Sequence, residues 1–75
     1  MALRKRRSIA QRLTARETEI VELLAQGLSN AEIADQLFIE TSTVESHLGR
    51  AMAKIGARDR LQTVVWAYQN GVFRR

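Results

Sequence analysis

Within the decapeptide TSTVESHLGR, residues 41–50, stand two serines, two threonines, a glutamate and the one histidine of the chain, His47. Hydroxyl, imidazole and carboxylate together are the parts of a nucleophilic triad, so catalysis is the first chemistry to weigh. The spacing speaks against it. No carboxylate is evidently placed to orient the imidazole, and Ser42 or Ser46 beside His47 reads as polarity on a helix surface. The chain has no cysteine nucleophile and no glycine-rich phosphate loop. One histidine without cysteine is also too few ligands for a metal. An enzyme is therefore not expected, and neither is a metal or cofactor.

What remains is recognition of charged or hydrogen-bonding groups. Arg50, which closes the decapeptide, forms a basic cluster with Lys54, Arg58 and Arg60 beyond it. Near a helix C-terminus such residues stabilise the helix dipole, by about 0.3–1 kcal/mol each. The same cluster can clamp phosphates, which positions a protein on a nucleic acid without specifying sequence. Arg50, Lys54 and Arg58 are the candidate phosphate contacts. Asn30, Thr41 and Thr43 add neutral ones through side chains or helix-start amides. His47 lies three residues after apolar Val44, which suits packing at a core edge, with one ring nitrogen on a backbone or phosphate oxygen.

These residues need helices to hold them, and the chain reads as four. There is no proline, and helix formers dominate, so the class is all-α. Thr14 with Glu17 and Ser29 with Glu32 have capping-box spacing. The first predicts a helix over 15–26 that stops at Gly27. The second predicts a helix of about two turns, too short to persist without neighbours. A third helix begins near Thr41 or Ser42, with Glu40, Thr41 and Ser42 all eligible as its cap, and ends at Gly56. Val44, Leu48, Ala51 and Ile55 form its apolar stripe, leaving Ser42, Glu45, Ser46, Gly49 and Arg50 on the other side. Asp59 and Gln62 open a fourth helix, where Leu61, Val65 and Tyr68 read as the inward stripe.

Seventy-five residues allow one domain with a modest core. Without cysteine there are no disulfides. No apolar run approaches the roughly 20 residues needed to span a bilayer. No signal-peptide pattern follows the basic start, so the default expectation is a cytoplasmic protein away from membranes. The net charge of +4 comes from Arg4, Lys5, Arg6 and Arg7; removing them leaves eight basic against eight acidic residues. Residues 1–12 read as a basic arm or linker, and 13–75 as the domain. The arm is either a solvated tail or a source of non-specific phosphate attraction.

A short helix, a connection of about four residues and a longer helix make a helix-turn-helix pattern. In that arrangement the second helix crosses the DNA backbone and the third offers its N-terminal residues to the major groove. The motifs LT-x-RE-x-E, GLSN-x-EIA, TV-x-x-H and K-x-G-x-R-x-R occur in that order across 13–71. In them the chain resembles the C-terminal output domain of the LuxR–FixJ (GerE-like) regulators, NarL-type response regulators among them. The resemblance implies a compact four-helix module that binds double-stranded promoter DNA as a homodimer, on an inverted-repeat site, with RNA polymerase a candidate partner.

By the same resemblance, the helix-turn-helix segment is 30–49, and base contacts fall to Ser42, Glu45, Ser46 and Gly49. The dimer contact falls to the fourth helix, with Gln62, Thr63, Trp66, Ala67 and Asn70 as its free face. Three departures bear on the operator: Glu45 replaces the usual Lys, Gly49 a polar or basic residue, and Glu40 a Ser or Thr. Glu45 then has three readings. It caps its own helix with Ser42, it accepts from a cytosine amino group, or it repels phosphate in badly fitted complexes. The near-neutral domain also keeps a helical protein-interaction module in view, and the early LT-x-RE pattern a sigma region-four-like domain.

Overall fold

Side-chain chemistry fixes the first two helix starts. Thr14 Oγ1 accepts from the Glu17 amide at 3.1 Å while Glu17 Oε1 accepts from the Thr14 amide at 2.9 Å. Ser29 and Glu32 exchange the same pair of bonds, at 3.1 and 2.8 Å. These reciprocal boxes satisfy donors that a helix start leaves unpaired, and they open α1 (Ala15–Ala25) and α2 (Asn30–Leu37). The computed structural model describes residues 13–73. The basic run at 4–7, with the arm or linker expected over 1–12, lies outside them.

α3 covers Thr41–Ile55 and α4 covers Arg60–Gln69. Glu40 is the N-cap of α3 and makes no side-chain cap bond, so this helix starts without the device that opens the other three. Asp59 caps α4 by accepting from the Gln62 amide at 2.9 Å. Gln62 Oε1 reaches the Arg58 amide at 2.7 Å, one residue before the cap, so the box expected here is displaced by one position.

Helix ends need carbonyls satisfied, and left-handed residues provide the turn. Gly27, at φ 96°, lets Leu28 donate back to the Leu23 carbonyl and Gly27 to Leu24. The turn between α2 and α3 uses Phe38 instead, at φ 58° and 91 % exposed. A bulky residue in this conformation costs roughly 1–2 kcal/mol.

Two apolar clusters hold the helices together. One joins Ile20, Leu23 and Leu24 of α1 to Ile33 and Ala34 of α2 and to Val44 and Leu48 of α3. The other joins Val21 and Ala25 of α1 to Ala51 of α3, Ala67 of α4, Leu13 and Val72. α1 is thus shared, and it packs on α3 and α4 as well as on α2. The expected stripe on α3 holds, with Val44, Leu48 and Ala51 buried and Ile55 packed against the second cluster.

α4 is rotated relative to the stripe expected for it. Leu61, Val65 and Tyr68 are exposed, Leu61 at 70 %, whereas Thr63 and Ala67 are fully buried. The helix is apolar on more than one side, so periodicity alone permits either orientation. Side-chain volume decides it: small Ala67 meets Val21, Ala25 and Ala51, where larger residues would hold the helices apart. Thr63 can be buried because its hydroxyl donates to the Asp59 carbonyl at 2.9 Å, inside the same helix. Among the described residues, no helix is long and apolar enough to cross a membrane.

Candidate nucleic-acid interface

With Val44 and Leu48 anchored in the core, α3 turns the opposite side of its first half outward. Ser42, Glu45, Ser46 and Gly49 are all exposed, at steps of three, one and three residues, and so share one face. Thr41 and Arg50 are exposed beside them, and Thr43 is half-buried. No hydrogen bond or ion pair within the described residues engages the Glu45 side chain. Because the N-cap is Glu40, Ser42 is the second residue of the helix and Glu45 the fifth. The Ser42–Glu45 capping box, one of the three readings of Glu45, is therefore absent, since such a box needs the serine at the cap and the acid three residues on.

Gly49 stands out on this face. It lies mid-helix, where glycine costs about 1 kcal/mol relative to alanine. A Cβ placed on it would meet nothing within 4 Å. Neither φ nor packing inside the protein requires a glycine here.

The basic cluster divides. Lys54 Nζ lies 2.7 Å from Glu17 Oε1, an acid that is only 2 % exposed. Lys54 is thus tied into the fold by α1, a role that its expected place as a phosphate clamp did not include. The physical reason is the cost of a buried carboxylate, which needs an opposite charge beside it. Burial pushes the Glu17 carboxyl up, but the Lys54 ammonium and the Thr14 bonds outweigh this and hold it below its ordinary 4.5. The sequence shows Glu17 only as a cap, because its partner lies 37 residues away.

Arg58 is exposed, while Arg60 is spoken for: it donates to Asn30 Oδ1 at 3.0 Å and to the Leu28 carbonyl. Asn30, half-buried, is thereby placed beside the start of α4. His47 is also half-buried, and its Nδ1 is buried without a hydrogen-bond partner. Among the described residues, no group of three or more His, Cys, Asp or Glu could hold a metal ion.

The helix-turn-helix formed by α2 and α3 therefore carries an unencumbered outer face on its second helix. A family model described as bacterial regulatory proteins, luxR family, matches residues 11–67. The chain belongs to the luxR family. Two relatives extend the match. The uncharacterized transcriptional regulatory protein YxjL of Bacillus subtilis is 44 % identical over 64 residues, covering 85 % of this chain and 29 % of that protein. The response regulator protein VraR of Staphylococcus aureus is 39 % identical over 70 residues, covering 93 % of this chain and 34 % of that protein. This luxR-family chain spans about a third of the length of these curated relatives. It is a helix-turn-helix DNA-binding domain of transcription regulators, a regulatory family rather than an enzymatic one.

The second expected surface needs revision. Thr63 and Ala67 are buried in the domain itself and present nothing to a partner. Asn70 is half-buried and its amide donates to the Trp66 carbonyl at 2.9 Å, within its own helix. Gln62 and Trp66 instead line a shallow groove of about 300 Å³ with Ile55, Leu61, Val65 and Gln69. The apolar residues left outward on α4 are Leu61, Val65 and Tyr68.

Proposed function

We propose that this chain is the DNA-reading output domain of a bacterial response regulator, binding promoter DNA as a homodimer with α3 in the major groove. Gly49 is the observation that carries the reading. A residue that weakens its own helix, and that nothing inside the protein requires, fits a helix that must approach another surface closely. Ser42, Glu45, Ser46 and Gly49 then meet base edges. With no cap or ion pair to engage it, Glu45 accepts from a cytosine amino group. Asn30, Thr41, Thr43, Arg50 and Arg58 hold phosphates around them. A cytoplasmic location goes with this reading, and so does RNA polymerase as a neighbour at the promoter.

For the dimer, the exposed stripe of Leu61, Val65 and Tyr68 is the surface that gains most from a second copy, with Gln62 and Trp66 at its groove. A twofold pair would set two copies of α3 about one DNA turn apart and read an inverted repeat.

Selection of bound duplexes from a random pool across salt concentrations tests the reading. An enriched inverted repeat with steep salt dependence is expected. No enrichment at any salt rejects DNA reading in favour of a protein partner. If Glu45→Lys enriches the same motif as the unaltered chain, Glu45 is not a reader. Sedimentation of Val65→Glu, free and on the selected DNA, tests the dimer; unchanged association in both states rejects the assigned face.

A further inference from the structure

Asn30 opens α2 and Arg60 opens α4, and the fold brings these residues, thirty apart in the chain, into contact. Arg60 Nη1 donates to Asn30 Oδ1 at 3.0 Å. Its Nη2 donates to the Leu28 carbonyl, in the turn between α1 and α2. The guanidinium is planar, so two bonds from one fork fix its plane as well as its place.

The chemistry of the pair dictates the amide's orientation. A guanidinium has donors and no acceptor, so a carboxamide can meet it only through its oxygen. The NH2 group of Asn30 is then turned away from Arg60. Among the described residues no acceptor takes it up. Asn30 is half-buried and its bond to Arg60 lies at the surface, so the free NH2 group is open to a partner. The result is a neutral donor, aimed by an arginine, on the first residue of the helix that crosses the DNA backbone in a helix-turn-helix.

We propose that Arg60 is a positioning residue for DNA binding: it aims the Asn30 amide so that the NH2 group donates to a phosphate. The inference rests on the DNA-reading function above. It assigns Arg60 an indirect part, through Asn30, rather than a phosphate of its own. It also makes the start of α4, the helix given the dimer face, responsible for the geometry at the start of α2.

A double-mutant cycle on the selected duplex tests it. Asn30→Ala and Arg60→Met should each weaken binding about tenfold, the scale of one hydrogen bond to a charged group. The double variant should also lose about tenfold, since Arg60 has nothing left to aim. Losses that multiply to about a hundredfold overturn the proposal. The salt slope is the second readout. A neutral amide displaces no counterion, so Arg60→Met should leave the slope in place. A slope lower by about one unit would make Arg60 a phosphate clamp itself and overturn the indirect role.

Asn30→Asp separates aiming from stability. Arg60 keeps an acceptor, so the melting temperature should hold, while the donor is lost and affinity falls at least as far as in Asn30→Ala. A melting temperature lower by several degrees would deny the Arg60 contact. Should Arg60→Met fail to fold, Arg60→Lys, which keeps charge but loses the fork, replaces it in the cycle. Full affinity in Asn30→Ala overturns this proposal and removes Asn30 from the interface, while enrichment of an operator by the unaltered chain keeps the wider DNA reading intact.

Discussion

α3 and α4 lie side by side in the sequence and behave as opposites. α3 has one apolar stripe, so its rotation is fixed as soon as Val44, Leu48 and Ala51 find the core. The side opposite them, with Ser42, Glu45, Ser46 and Gly49, then faces outward by default. α4 has two candidate stripes, Leu61–Val65–Tyr68 and the set around Thr63 and Ala67, and periodicity cannot choose between them. Volume chooses, and the smaller set goes in. A single stripe fixes a helix's rotation locally, whereas a doubly apolar helix takes it from its neighbours' shapes.

The sharpest way to break this contrast is to place charge on each face of α4. Thr63→Glu buries a carboxylate with no partner and should cost about 3 kcal/mol or more, enough to unfold much of a domain this small. Val65→Glu, two residues on, should change stability by no more than about 0.5 kcal/mol while abolishing self-association. Thermal melts of the two variants check it, and similar melting temperatures would mean the rotation described for α4 is wrong.

The next effect concerns the charge that α3 turns inward. Lys54→Met leaves Glu17 buried and unpaired, and breaking such a pair costs about 3–5 kcal/mol when both partners are buried. Lys54 is partly exposed, so about 2 kcal/mol is expected here. The pH dependence has a definite sign. Glu17 is held below its ordinary 4.5 in the fold, so its pairing stabilises above that value and is lost as pH falls through its folded value. Without Lys54 the folded value rises, so the gap in stability between variant and unaltered chain should narrow in acid. Denaturant titrations at neutral and acid pH check this.

Gly49→Ala should act in two directions. Stability should rise by about 1 kcal/mol, because a Cβ meets open space and alanine is the better helix former. Affinity for the selected duplex should fall, because the added methyl stands on the approaching face. A stabilised variant with full DNA affinity would leave Gly49 without a role in approach.

The smallest effect lies at the turn between α2 and α3. Phe38→Gly relieves a left-handed backbone and buries nothing less, since the ring is already in solvent. A net gain of about 0.5–1 kcal/mol is expected after glycine's own entropy is counted. Nothing in the structure accounts for a phenylalanine at this position.

What the sequence makes legible is what short range decides. Thr14–Glu17 and Ser29–Glu32 span three residues each, so the helix starts they define are as written. The outer face of α3 is legible for the same reason, because Val44 and Leu48 settle it from within the helix. Glu17–Lys54 and Asn30–Arg60 are not, since each joins residues thirty or more apart and depends on how the helices cross. Lys54 and Arg60 therefore look alike in the sequence, as members of one basic cluster, and differ in the fold. One neutralises a buried acid and the other aims an amide.

α1 contributes to both apolar clusters, Ile20 and Leu24 to one and Val21 and Ala25 to the other. Neither cluster can come apart without disturbing the helix that the other needs. The domain therefore has no natural seam along which half of it could open while half stayed closed. Its backbone amides should sort by depth within one cooperative unit, with the slowest hydrogen exchange along α1 and the two clusters releasing their protection together. The helix given no part in the proposed reading of DNA is then the one that makes the proposed reading surface a single rigid object.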